Sequence, residues 1–249
     1  MMTLPASLKS KFYIDGHFFP IKIFSSEEAA KVYQDYEKYV AKLGQEGDAR
    51  SRPHLVAKWA QNIVTHPVLV SAVKTALGSN NVLCLQSELC VQPPASQSEA
   101  GWQLEPSDRV VTAWLAITPC NNALEESELS NLPGERRVMV ELQAGEVSLH
   151  SGRSVLTCGP DRSEKEQVGL AITYCTDEVQ NMKAVVVRER ASLICGSGGM
   201  FWDLETPPAR DYGVKELEKL SLCCERVRQN MQPGPEGEEE NGEEKEEKE

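Results

Sequence analysis

Between Asn81 and Cys175 the chain breaks into short, β-rich segments: Asn81–Val91, Arg109–Thr118, Val138–Leu142, Glu146–His150 and Val168–Cys175. Turn chemistry separates them, at Pro93-Pro94, Pro133-Gly134, Gly145 and Gly159-Pro160. Many short strands punctuated in this way point to a β-sandwich or jelly roll. Lys183–Arg188 fits one strand more.

Helices are expected on either side. Ser25 and Glu28 form a capping box, behind which Ala29, Val32, Tyr33, Tyr36, Val40 and Leu43 recur at helical spacing until Gly44. A second helix fits Leu55–Thr65, with Leu55, Trp59 and Ile63 on one face. A third opens at Pro67, turns Leu69, Ala72, Val73 and Leu77 inward and stops at Gly78. Near the end, Val214–Met231 places Leu217, Leu220, Cys224 and Val227 on one stripe. The fold class expected is therefore α+β: one jelly-roll-like core over residues 1–232, flanked by N-terminal helices and a C-terminal helix.

From Pro233 onward Gly and Glu dominate, and such a segment buries too little apolar surface to fold. Glu236–Glu249 carries nine acidic residues against two lysines, a net seven of the chain's twelve negative charges. The body keeps only a mild acidic excess, which argues against nucleic-acid binding. No apolar run is long enough to span a membrane, and the N-terminus lacks a secretory signal, so a cytoplasmic location is expected, with the nucleus equally open. None of the eight cysteines forms a C-x-x-C pair. In a reducing compartment they read as small core residues.

Several ordered segments resemble the phytanoyl-CoA dioxygenase family of iron(II)/2-oxoglutarate oxygenases. They are Arg52-Pro-His-Leu55 with Trp59, His66-Pro67 through Gly78, Trp102-Gln-Leu104, Asp108 through Pro119, Gly145 through His150, and Gly159-Pro-Asp-Arg-Ser163 followed by Gly169 through Tyr174. The resemblance runs from about Phe12 to Asp211 and implies a double-stranded β-helix (jelly-roll, cupin-like) core. It also implies where the chemistry would sit. The family holds iron with a His-x-Asp pair and a distant His, leaving positions open for 2-oxoglutarate and oxygen. Counted back from Trp102, the pair falls on Ser96 and Ser98, and the distant His falls on Leu156. The arginine that grips the 2-oxoglutarate carboxylate falls on Gln167, whose neutral amide cannot make a charge-assisted two-pronged bond. The segment after Leu124 is shorter than in the family and lacks part of the active-site wall.

These degenerate positions lead to a phytanoyl-CoA dioxygenase-like pseudoenzyme with a binding or regulatory role. No catalytic residue, no metal ligand and no cofactor is expected, and the partner is an unidentified small molecule or protein. The alternative is an active iron(II)/2-oxoglutarate dioxygenase that hydroxylates a lipid-like or other small substrate. Other features read plainly. His150 shares a strand face with Glu146 and Ser148, but a hydrogen-bonded histidine is the ordinary reading. Ser96 and Ser98 lack a nearby base and look like loop residues. Gly196-Ser-Gly-Gly199 has no Lys-Ser/Thr behind it and reads as a turn. Cys223 and Cys224 are neighbours on a helix, so one is expected in the core and the other at the surface.

The acidic tail generates the first prediction. Deleting Pro233–Glu249 leaves the melting temperature unchanged within about 1 °C in a calorimetric scan, because the tail has nothing apolar to bury.

Overall fold

The computed structural model describes residues 4–93, 100–103, 109–126, 137–152, 154–158, 166–179, 187–199 and 201–231. Helix α1 (Leu8–Asp15) ends on Gly16 in the left-handed region, φ 70°, and passes at once into strand β1 (His17–Lys22). The sequence reading placed neither. Helix α2 (Ser26–Leu43) starts at the expected capping box. The Ser25 hydroxyl accepts from the Glu28 N–H at 3.3 Å, and the Glu28 carboxylate accepts from the Ser25 N–H at 2.7 Å. The helix expected over Leu55–Thr65 is shorter. Arg52 sits in the left-handed region at φ 53°, Pro53–Leu55 forms a separate tight turn, and α3 covers Lys58–Val64. Helix α4 (Pro67–Leu77) stops at Gly78, as its left-handed φ of 64° requires.

Ten further strands follow: β2 (Val82–Gln92), β3 (Ala100–Gln103), β4 (Val110–Ala116), β5 (Cys120–Glu126), β6 (Arg137–Leu142), β7 (Glu146–Ser151), β8 (Ser154–Cys158), β9 (Gln167–Cys175), β10 (Arg190–Cys195) and β11 (Asp203–Glu205). Helix α5 (Val214–Met231) closes the described chain. The expected extra strand over Lys183–Arg188 lies largely outside the described residues. The strands form a larger sheet ordered β1-β7-β4-β9-β2-β10-β11 and a smaller one ordered β3-β8-β5-β6. Pairing is antiparallel except between β10 and β11. From β2 to β9 the chain changes sheet at every step except β5 to β6.

Strand alternation divides the larger sheet into two faces. Val111, Ala113 and Leu115 of β4, Val147 and Leu149 of β7, and Leu170, Ile172 and Tyr174 of β9 join one core with residues of all five helices. Trp114 and Ala116 of β4, Ala171 of β9 and Cys90 of β2 face the other way, into a second core with Cys120, Val140 and Leu142 of the smaller sheet. The buried Tyr174 hydroxyl donates to the Val64 carbonyl at 2.8 Å, tying β9 to the end of α3.

Helix α5 is held by polar contacts. The Glu205 carboxylate, 1 % exposed, pairs with Arg190 and accepts from the Cys223 thiol at 3.2 Å. Arg226 pairs with Asp203 at 2.7 Å, and the Asn230 side chain meets both the N–H and the carbonyl of Val187. This docking corrects the expectation for the adjacent cysteines. Cys223 and Cys224 are both buried, because α5 packs against the turns before α3 as well as reaching β11. Six of the seven described cysteines are buried, and all seven are free thiols. Among the described residues no helix is long and apolar enough to cross a membrane.

Replacing Tyr174 by Phe removes the bond to Val64 and leaves that carbonyl short of a partner. The expected loss is about 1–2 kcal/mol in denaturant unfolding, with the m-value unchanged.

Candidate functional site

Of the residues singled out from the sequence, Leu156 and Gln167 lie on different elements. Ser96 and Ser98 are outside the described residues. Leu156 sits in β8, paired with Trp102 of β3 on one side and with Leu124 of β5 on the other. Gln167 opens β9 on the larger sheet, directly opposite Gln92 of β2. Its side-chain carbonyl oxygen is buried without a hydrogen-bond partner. The described contacts do not bring Leu156 and Gln167 together.

Around Trp114 the described side chains between the sheets are largely apolar. The Trp114 indole lies so close over Gly169 that a Cβ there would stand 2.4 Å from its ring. Glycine at 169 thus lets the indole lie flat against β9, and Cys90, Ala116, Cys120, Val140, Leu142 and Ala171 pack with it. Phe19 of β1 and Val138 of β6 complete the layer. The only polar atoms among these side chains are the indole N–H and the thiols of Cys90 and Cys120.

Polar groups gather further along the same face. His150 of β7 is fully buried, and its Nε2 lies 2.7 Å from the Ser148 hydroxyl. It pairs in register with His17 of β1 and with Thr112 of β4, which in turn faces Thr173 of β9. The Thr112 and Thr173 hydroxyls are 3.4 Å apart. His150 is therefore the hydrogen-bonded core histidine expected, and it shares its face with Ser148 as the strand period required. The His17 Nδ1–H donates to the Asp15 carbonyl at 2.8 Å, and its ring stacks on Phe19. Burial, with a smaller contribution from His17, pushes the His150 pKa down to about 3.

A second buried histidine lies on the helix-covered face. His54 meets the Ser87 hydroxyl at 2.5 Å through Nδ1 and the Ser192 hydroxyl at 3.2 Å through Nε2, bridging β2 and β10. Burial, then the Arg52 charge, pushes its pKa down to about 3. Arg52 itself is buried and donates to the Arg190 carbonyl at 3.0 Å. With both ring nitrogens occupied and no exposure, His54 is a structural bridge rather than a base. The Gly196–Gly199 segment is a turn, as expected. Gly196 at φ 84° packs on Asn81, whose side-chain oxygen accepts from the Ser197 N–H at 3.1 Å.

Among the described residues no group of three or more His, Cys, Asp or Glu side chains is placed to hold a metal ion. A facial triad needs imidazole and carboxylate donors. The resemblance assigns the triad to Ser96, Ser98 and Leu156, and Gln167 offers a neutral amide in place of a guanidinium. Serine, leucine and glutamine side chains supply none of the imidazole, carboxylate or guanidinium groups that the resembling family uses.

The architecture itself is shared with non-heme oxygenases. A nickel complex of the non-heme monooxygenase ThoJ superposes with a TM-score of 0.79 at 25% identity, over 90% of this chain and 98% of that one. CytC3 with Fe(II) and α-ketoglutarate superposes at 0.67 and 18% identity, over 84% and 96%. The α-ketoglutarate-dependent epimerase SnoN does so at 0.58 and 16%, over 68% and 82%. The chain thus has the mixed α+β fold of these oxygenases. No family model matches it, and neither does any curated protein.

The two buried histidines set a pH dependence. Each has a folded pKa of about 3, below its unfolded value of about 6.5, so the unfolded state binds the extra protons. Their contribution to stability is complete above about pH 6.5 and is lost as pH falls toward 3, by up to about 1.4 kcal/mol per pH unit for each. Urea unfolding between pH 7.5 and 5 reads this slope, and His54→Gln is expected to lower it by about one proton's worth.

Proposed function

We propose that this chain is a phytanoyl-CoA dioxygenase-like pseudoenzyme: a double-stranded β-helix kept for binding or regulation after losing its iron and 2-oxoglutarate chemistry. The observation that carries the reading is the joint identity of Ser96, Ser98, Leu156 and Gln167. One changed ligand is compatible with a specialised metal site. Four changed positions leave no imidazole or carboxylate where iron would be held and no guanidinium where 2-oxoglutarate would be gripped. No histidine occurs between His66 and His150, so a small shift of the pair cannot restore it.

The alternation of β2–β9 between two facing sheets supports the double-stranded β-helix. The apolar packing around Trp114 is compatible with an interior that needs no iron at the four positions. Leu156, paired with Trp102 and Leu124 in the smaller sheet, has no metal-binding atom. Residues 1–232 form the functional unit in this reading, the acidic tail is an appendage, and the setting is the cytoplasm. The partner is a small molecule or a protein.

A second reading is favoured by the names of the structural neighbours, which are those of working oxygenases. In it the chain is an active iron(II)/2-oxoglutarate dioxygenase acting on a lipid-like or other small substrate, with ligands other than those four positions. Turnover separates the two. Purified protein incubated with iron(II), ascorbate and 2-oxoglutarate is expected to form no succinate above the protein-free control. Succinate that requires both the iron and this protein overturns the pseudoenzyme reading in favour of the second.

A further inference from the structure

We propose that His17 and His150 form a two-histidine site for a divalent transition metal ion such as zinc. They are direct partners in the β1–β7 register. Directly opposed residues of an antiparallel pair project from the same face, with Cβ atoms about 5 Å apart. The next pair, Phe18 and Leu149, points into the helix-side core. The two imidazoles therefore share the face turned toward the smaller sheet, beside Ser148 and Phe19.

The hydrogen bonds fix which ring nitrogens are available. A carbonyl oxygen only accepts, so the contact to Asp15 puts the His17 proton on Nδ1 and the lone pair on Nε2. The His150 Nδ1 is buried with no hydrogen-bond partner. A proton there would be a buried N–H without an acceptor, which folded proteins rarely tolerate. The proton therefore sits on Nε2, donated to the Ser148 hydroxyl, and Nδ1 carries the lone pair. Each ring is thus held by an oxygen acceptor through one nitrogen and presents a lone pair on the other. Metal-binding histidines are oriented in this way.

A metal ion answers the one unsatisfied nitrogen of His150 that the fold leaves buried. Imidazole pairs suit zinc, nickel and copper better than hard cations, at about 2.0–2.1 Å from nitrogen to zinc. Two protein ligands leave the remaining positions to water or to a ligand's donor atom. The ion would tie the edge strand β1 to β7 beyond their backbone ladder. The proposal uses none of Ser96, Ser98, Leu156 and Gln167 and does not depend on the pseudoenzyme reading.

The test uses the tag-free full chain, stripped with chelator, and zinc(II) alone, without iron or 2-oxoglutarate. Calorimetry is expected to show one site in the micromolar range, and saturating zinc raises the melting temperature. His17→Ala, chosen because His17 is only partly buried, weakens binding about tenfold or more while its melting temperature in chelator stays near that of the wild type. Because the chain also carries eight thiols, cobalt(II) absorption provides the second arm. Imidazole ligation gives weak visible bands without the intense near-ultraviolet bands of thiolate ligation. Equal zinc affinity in His17→Ala, thiolate bands with cobalt, or no binding at about 100 μM metal overturns the proposal.

Discussion

The burial of β4 on both of its faces is the constraint on which the rest of the structure depends. All seven of its residues, Val110–Ala116, are buried. It pairs with β7 on one edge and β9 on the other, so every backbone donor and acceptor there must find its partner inside the sheet. Its odd-numbered side chains need the helices as a cover. Trp114 and Ala116 need the smaller sheet. Neither layer can be removed without exposing half of this strand, so the helices and the two sheets stand as one cooperative core.

That double cover also governs what polar groups can do. His54 and His150 lie on opposite faces of the larger sheet, each neutral and held by serine hydroxyls. Removing charge from water costs far more than these hydroxyl contacts return, so burial dominates both histidines and keeps them deprotonated. Glu205 shows the other solution. It stays buried by pairing with Arg190 and accepting from Cys223, and in doing so it anchors the C-terminal helix to an edge strand only three residues long. A short edge covered in this way is also protected from pairing with other chains.

A fold shared with non-heme oxygenases does not by itself fix the chemistry of the site. The fold is specified by the apolar alternation of the strands and by the helix caps, whereas the chemistry needs only a few donor side chains set on that frame. Exchanging a few such donors for other side chains would leave the alternation intact. Around Trp114 the described side chains of the two sheets pack into one apolar layer.

The sequence by itself determined the elements whose signal is local. The Ser25–Glu28 box, Gly44 and Gly78 bounded α2 and α4, and β-rich runs set off by turn residues marked β2, β4, β6, β7 and β9, because caps, composition and turns are read within a few residues. It also determined the identities at Ser96, Ser98, Leu156 and Gln167, on which the functional reading rests. Only the tertiary structure decided the rest. Strand β1 carries an extra residue between Phe18 and Ile21 that breaks its alternation, and β3, β8 and β11 are too short to show a period, so pairing alone reveals them. The burial of both Cys223 and Cys224 required knowing that α5 is packed from more than one side. The meeting of His17 with His150, and of His54 with Ser87 and Ser192, spans more than 30 residues of sequence in each case. Contacts of that range are set by how sheets and helices close on one another, which no local pattern encodes.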